Sequence, residues 1–305
     1  MDILTNVLNT LELKGWLGSR TEVSPPWRFD FLASPDSTFH IFNFGGGYLH
    51  IEGDTTPLRV EDGDVVVFPH GHAHTIYDEP ASPLTQAAVH LDYDAHGEYE
   101  IYPFEGEGTQ TILLCRAFHF ENPSNYPLLQ NLPKVIHIPG EQGLMVEGFA
   151  NIVSLLAYES TLQQVGTEVM LRRLTEMLFI QVIRVWIAQQ ATGTEGWFAA
   201  LRDQPISAAL GLIHQSPERG WKVEELAKAV ALSRSAFSSR FTQLVGEPPM
   251  KYLTHWRMHM ATHLLKQGVE VEKIAQRLGY DSEVAFRKAF KREAGIPPAR
   301  YRKLA

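Results

Sequence analysis

Apolar residues follow two different rhythms along this chain. From about residue 27 to 120 they come in short runs, FHIFNF, GYLHIE, PLRV, DVVVFP, AAVHLDY and TILLCRAFHF, set apart by the stretches FGGG, EGD, EDGD and DEPAS. Such runs predict strands, because successive side chains of a strand point to opposite faces and Gly, Pro, Asp and Ser end the pairing. The rhythm then changes. Between 141 and 190, Leu155, Leu156, Leu171, Leu174, Leu178, Val182 and Val185 recur at three-, four- and seven-residue spacings, which predicts two helices joined near Gln163 to Gly166. From Pro205 onward every segment has helical period. At the other end, MDILTNVLNTLELKGW places Ile3, Leu4, Val7, Leu8 and Leu11 at helical spacing and predicts a short amphipathic helix.

The C-terminal rhythm repeats. VEELAKAV (223 to 230) matches VEKIAQRL (271 to 278) at an offset of 48, and SRSAFSSRFTQLVGEPPMKYL (233 to 253) matches SEVAFRKAFKREAGIPPARYR (282 to 302) at an offset of 49. Each copy predicts a short helix, a tight turn and a second helix, the layout of a helix-turn-helix. Leu226, Ala227 and Val230 face Phe237 and Phe241 in the first copy, and Ile274, Ala275 and Leu278 face Phe286 and Phe290 in the second. Ser233 and Ser282 are suited to cap the second helices. With the phenylalanines turned inward, the outward faces carry Arg234, Ser235, Ser238, Ser239 and Thr242 in one copy and Glu283, Val284, Arg287, Lys288 and Lys291 in the other. The helix over 249 to 266 would hold the two units at fixed separation, so that both reach successive major grooves of DNA roughly 34 Å apart.

Charge sharpens this division. The overall balance is −8, yet residues 1–204 carry 10 Lys and Arg against 26 Asp and Glu, while residues 205–305 carry 17 against 9. A basic C-terminal module behind an acidic one implies a polyanionic partner for the last hundred residues, since Lys and Arg supply most non-specific nucleic-acid affinity. Lys222, Arg240, Lys251, Arg257, Lys273, Arg292 and Arg302 read equally as phosphate contacts and as surface charge. The single cysteine, Cys115, excludes an internal disulfide and a four-cysteine zinc site. The most apolar stretch, MLFIQVIRVWIA (177 to 188), is too short to span a bilayer and contains Gln181 and Arg184. A soluble, cytoplasmic protein without membrane contact is expected.

The run GYDSEVAFRKAFKREAGIPPARYR, preceded by IAQRL and YLTHWRMHMATHLL, closely resembles the signature of AraC/XylS-type transcriptional regulators over residues 205–305. The resemblance implies two helix-turn-helix units on a linking helix, binding to double-stranded promoter DNA, contact with RNA polymerase and frequent action as an activator. By position it places Ser235, Ser238 and Ser239 of the first unit, and Val284, Arg287 and Lys288 of the second, toward the bases. The first of these helices departs from the pattern, with serines where long side chains are common.

Histidines mark the strand-rich half. GDVVVFPHGHAHTIYD, from Gly63 to Asp78, resembles the second cupin motif, with Pro69, Gly71 and His74 in place and Asp78 where asparagine is frequent. Such a cupin serves as the sensor in many AraC-type regulators. The carboxylate ligand of the first motif of metal-dependent cupin enzymes is absent from the corresponding region, DSTFHIFNFGGGYLHIE, which offers His40, with Phe42 and Phe44 on its strand face. Two readings of the histidines stand. If the segment is extended, His72 and His74 share a face and, with His40, supply three nitrogens for a divalent metal such as zinc, with Cys115 or His90 as a fourth ligand. Alternatively His74 is hydrogen-bonded inside a barrel, and His70 and His72 line its wet rim. Phe39, Phe42, Phe44, Tyr48 and Phe68 read as barrel core, and His40, Phe42, His72 and His74 as the positions nearest a small-molecule effector.

The expected organisation is therefore a cupin-type β-barrel over 1–138, a helical connector and dimerisation pair over 139–196, and an all-α tandem helix-turn-helix domain over 205–305. The expected function is a sequence-specific transcriptional regulator, a homodimer without catalytic residues. The competing reading is a cupin metalloenzyme fused to a DNA-binding tail.

Overall fold

The computed structural model describes residues 3–10, 13–82, 100–104, 108–120, 127–144, 146, 148–162, 164–189 and 197–304. Contacts gather the chain into two units, each discontinuous in sequence. One comprises Glu12–Glu121 with Leu132–Gln190, the other Met1–Leu11, Asn122–Asn131 and Ala191–Ala305. The run AAVHLDY and His90 lie outside the described residues.

The first unit holds two sheets. The larger runs β10 (Ile136–Ile138), β6 (Val65–Phe68), β3 (Ser37–Phe44), β9 (Thr111–Phe120), β1 (Leu13–Val23) and β8 (Glu100–Phe104). The smaller runs β2 (Arg28–Phe31), β7 (His74–Tyr77), β4 (Gly47–Ile51) and β5 (Leu58–Val60). Pairing is antiparallel throughout, apart from β1 with β8. Alternate residues of both sheets meet in one core, with Phe42, Phe68 and Leu113 from the larger and Phe29, Leu49 and Ile76 from the smaller. Each such side chain contributes about 1.5–3 kcal/mol by leaving water. Among the described residues no pairing closes one sheet onto the other. The cupin-type fold is thus two facing sheets among the described residues.

Helices cover the outer face of the larger sheet. α4 (Phe149–Glu159) and α5 (Thr167–Gln189) follow the short helix α3 (Gly140–Leu144) in sequence, while α2 (Pro127–Gln130) belongs to the other unit, and Phe179 of α5 packs against Phe118 at 5.1 Å and Phe120 at 5.2 Å. The strand β3 is consequently buried on both sides from Ser37 to Phe42, with polar Ser37, Thr38 and His40 among the buried residues. Leu156 of α4 is fully buried, whereas Leu155, expected in the same core, is exposed. Phe44, also expected inside, is 49% exposed at the end of β3.

The largest departure from the sequence pattern is β1. The N-terminal helix spans Ile3–Thr10, and Leu13–Val23 forms a strand bonded to both β9 and β8. Its buried residues include Ser19, Arg20 and Thr21, so no apolar alternation marks it, and a register shift between Trp16 and Ser19 interrupts its period. Arg20 is neutralised by Glu22 at 2.7 Å.

The second unit is helical. α1 (Ile3–Thr10), α6 (Trp197–Arg202) and α7 (Gln204–Gln215) join α8 (Val223–Ala229), α9 (Arg234–Val245), α10 (Pro249–Lys266), α11 (Val271–Arg277), α12 (Glu283–Ala294) and α13 (Pro298–Leu304). α10 matches the helix expected over 249–266. Both predicted caps are formed, Ser233 Oγ accepting from Ala236 N and Ser282 Oγ from Ala285 N, each at 3.2 Å. The first helix of each pair also ends alike. Leu232 N donates to Ala227 O, and Tyr280 N to Ala275 O, both at 2.9 Å, across a left-handed residue that is Ala231 in one copy and Gly279 in the other.

Candidate functional site

The helices α9 and α12 present the faces that the repeat predicts. Phe237, Phe241, Phe286 and Phe290 are fully buried, which turns the opposite sides outward. On α9, Arg234, Ser235 and Ser239 are exposed and Ser238 and Thr242 half-buried. On α12, Val284, Arg287, Lys288 and Lys291 are exposed and Glu283 half-buried. The charges are not all free to meet a ligand. Arg234 Nε lies 2.9 Å from Glu224 Oε1 on α8, and Arg287 Nε donates to Glu283 Oε1 at 2.6 Å.

Of the cations left open between phosphate contact and surface charge, Lys251 pairs with Glu247 at 3.7 Å and Arg292 with Glu293 at 2.7 Å, and three more are bonded to groups elsewhere in this unit. Arg240 forms a fork on Asp203 Oδ2, at 2.8 and 2.5 Å, where Asp203 also caps α7. Arg257 donates to Pro217 O at 2.6 Å and Arg219 O at 3.0 Å, with its guanidinium 5.5 Å from the Tyr280 ring. Arg302 donates to Val269 O. Lys222 and Lys273 remain exposed. Their sequence positions gave no sign of this split, because the carbonyl partners have no signature of their own.

The two helix-turn-helix units are tied together through α10. His255 faces Glu247 at 2.9 Å, just before α10, and Glu293 at 3.3 Å, near the end of α12. Its pKa is raised, first by the hydrogen bond it donates to Glu247, and the two ring nitrogens face two different carboxylates. This bridge borders a cleft of about 420 Å³ that Met258, His259 and Thr262 also line. Arg257 on α10 binds the stretch from Pro217 to Arg219 that Gly279 also approaches. A Cβ on Gly279 would stand 1.8 Å from Glu218 O, so the turn of the second unit rests on the backbone preceding α8.

In the β-rich unit, His40 and His74 come together and His72 does not join them. His74 Nδ1 lies 2.8 Å from His72 O, His40 Nε2 lies 2.7 Å from His74 Nε2, and His40 Nδ1 lies 3.1 Å from Cys115 Sγ. One proton arrangement satisfies all three. The His72 carbonyl only accepts, so His74 Nδ1 carries a proton and its Nε2 accepts from His40, whose Nδ1 then accepts from the Cys115 thiol. Burial keeps this chain neutral. It holds His40 well below its ordinary value, brings His74 down to about 4 and pushes Cys115 up to about 12. Phe68 and Phe31 stack on His74 at 3.8 and 4.8 Å. Phe31 and the Ser19 partner of Cys115 sit on strands that apolar periodicity did not mark.

This arrangement does not fit the zinc set that the histidine spacing suggests. Two imidazole nitrogens bound at about 2.0–2.1 Å in a tetrahedral site stand roughly 3.3 Å apart, further than the hydrogen-bonded Nε2 pair. His72 lies just ahead of β7, outside the paired strand that begins at His74, so the strand alternation on which a shared face depends does not extend to it. A side chain at Gly71 would meet Ser34 O at 2.2 Å. The His72 ring packs near His70, at 5.8 Å. Among the described residues no group of three His, Cys, Asp or Glu could hold a metal ion. Phe42 belongs to the packed core, and Asp78 Oδ1 accepts from Trp27 N at 2.9 Å, fastening β2.

Comparison with known proteins agrees with both halves. Residues 2–188 match the family described as Cupin, and residues 226–304 match a Helix-turn-helix domain. The chain is 31% identical to an AraC-like transcription regulator of Streptomyces antibioticus, over 99% of each chain. It is 30% identical to the HTH-type transcriptional regulator AlkR of Acinetobacter baylyi, again over 99% of each. Among solved structures, the DNA-binding domain of AdpA in complex with a target DNA is 33% identical, covering 33% of this chain and 93% of that one, with a TM-score of 0.32. The full-length relatives are regulators rather than enzymes, and among the described residues no helix is long and apolar enough to cross a membrane. Kinship along the whole length, with a cupin ahead of two helix-turn-helix units, makes this chain a member of the AraC-like family of DNA-binding transcriptional regulators.

Proposed function

We propose that the chain works in the cytoplasm as a homodimer on promoter DNA, placing α9 and α12 in successive major grooves and activating transcription through contact with RNA polymerase. The observation that carries the DNA reading is the pair of capped helices whose apolar sides are buried and whose polar and basic sides are outward. Polymerase contact and activation rest on family likeness. The homodimer is supported by an exposed apolar set on α4, α5 and the turn between them, namely Leu155, Tyr158, Val165, Val169, Met170 and Met177, which a second copy would cover. A small molecule acting on the β-rich unit would bias which arrangement of the dimer is populated, by no more than its differential affinity for the two states. His40, Phe42 and His74 lie in a packed core, so an effector reaching them must open the hydrogen-bonded chain, whereas His72 is half-buried at its rim.

Duplex binding by the full chain, followed by fluorescence anisotropy against salt, tests the DNA reading. Tight, salt-sensitive binding to a selected site is expected, and Arg287→Ala should cost about 1–3 kcal/mol there while relaxing preference at one base. Absence of salt-sensitive duplex binding by the wild-type chain would overturn the reading.

A further inference from the structure

The two outward helices begin with opposite charges. Arg234 opens α9 and Glu283 opens α12 at equivalent positions, and one turn later stand Ser238 and Arg287. Arg234 is drawn back to Glu224 of α8, leaving serines at the front of α9. In α12 the ion pair stays on the outward face. Both bonds from Arg287, one from Nε at 2.6 Å and one from Nη2, fall on Oε1 of Glu283. The two side chains are 46% and 35% exposed, with Val284 exposed beside them and Phe286 and Phe290 buried behind.

A carboxylate is costly on a surface that approaches a duplex, which carries one negative charge per about 1.7 Å of axis. It repels phosphates and occupies the arginine best placed to read a base. Helix stability does not account for it. Ser282 already caps α12, an intrahelical pair adds only about 0.2–0.5 kcal/mol, and α9 forms with arginine at the same position. The chemistry of base edges does account for it. A carboxylate accepts from the cytosine amino group, and a guanidinium donates to guanine O6 and N7. Side chains one helical turn apart have Cβ atoms about 5–6 Å apart, which spans one or two base pairs.

We propose that Glu283 is a specificity-determining residue and acts with Arg287 as a composite reader of a cytosine and a guanine one or two base pairs apart. On other sequences Glu283 holds Arg287 and repels the backbone. On the matching sequence both charges find partners, and the affinity lost elsewhere becomes discrimination.

This rests on α12 being a base-reading helix, and one experiment separates the two claims. Full-length wild-type, Glu283→Ala, Glu283→Gln and Arg287→Ala proteins, each checked by thermal unfolding, are taken through selection from a randomised duplex library and titrated with a random-sequence duplex. The wild type is expected to enrich sites with a fixed cytosine and guanine at that spacing. Glu283→Ala should lose the cytosine preference by about tenfold, keep the guanine and bind the random duplex several-fold more tightly. Glu283→Gln keeps an acceptor for Arg287 without the charge, and should also bind the random duplex more tightly. If Glu283→Ala and Glu283→Gln both enrich the wild-type site with unchanged affinity for the random duplex, or weaken on every sequence alike, Glu283 is only an intrahelical partner and the proposal fails. If the wild type enriches no site at all, the reading of α12 fails instead.

Discussion

In the pair α8–α9, Leu226 and Ala227 pack against Phe237 and Phe241. In the pair α11–α12, Ile274 and Ala275 pack against Phe286 and Phe290, and all eight side chains are buried. The outward positions share almost nothing. Ser238, Ser239 and Thr242 in one unit correspond to Arg287, Lys288 and Lys291 in the other. Packing thus sets the fold twice with the same residue types, and the solvent face is left free to differ in how it meets DNA.

The strongest way to break this comparison is to remove a matched phenylalanine from each unit. Phe241→Ala and Phe290→Ala each delete a fully buried ring, and each should cost about 3–5 kcal/mol in urea unfolding. Similar losses would mean that the two cores are equivalent, as their burial implies. A loss in one unit only would show that the other relies on its neighbours.

Gly279 comes next, because there the units differ in backbone surroundings. Its φ is +71°, and a methyl group would stand 1.8 Å from Glu218 O. Gly279→Ala combines left-handed strain with overpacking against main chain, and about 2–4 kcal/mol of destabilisation is expected. A loss in unfolding free energy below about 1 kcal/mol would show that the stretch around Glu218 yields easily and that the second unit is not braced there.

How much of this was legible beforehand depended on whether an element announces itself by period. The repeat, both serine caps, α10 and the inward phenylalanines were all readable, because helical amphipathicity and capping are local signals. The strand β1 was not, since Ser19, Arg20 and Thr21 fill buried positions and a register shift follows Trp16. The histidine cluster was half legible. His40 and His74 do meet, but strand alternation begins only at His74, and His72 lies ahead of the paired strand. Arg240, Arg257 and Arg302 read equally as phosphate contacts and as surface charge, because carbonyls and a capping aspartate brought near by folding are invisible in sequence.

Electrostatics sharpens the comparison at lower energy. Lys288 and Lys291 are exposed on α12 where α9 has Ser239 and Thr242. Lys288→Ala should weaken binding to all duplexes by about 1 kcal/mol at physiological salt and flatten the slope of log affinity against log salt by roughly 0.9. Ser239→Ala should leave that slope unchanged. Equal slopes for both variants would remove the distinction between a backbone-gripping helix and one that contributes little charge.

The smallest effect is also the most local. Ala231 occupies the place in the first unit that Gly279 holds in the second, at φ 56°, and it closes the same helix end with the same 2.9 Å bond from the following residue. An alanine Cβ in this conformation crowds the carbonyl that follows, at about 1–2 kcal/mol. Glycine avoids the crowding and gives back part of the gain through the greater freedom of the unfolded chain. Ala231 is exposed, so its methyl group has little packing to lose. Ala231→Gly should therefore stabilise the protein by about 0.5–1 kcal/mol, read as a higher urea midpoint at constant slope. Destabilisation would mean that the methyl group supports the first turn in some other way, and the two helix ends would then be alike in hydrogen bonding but not in what holds them.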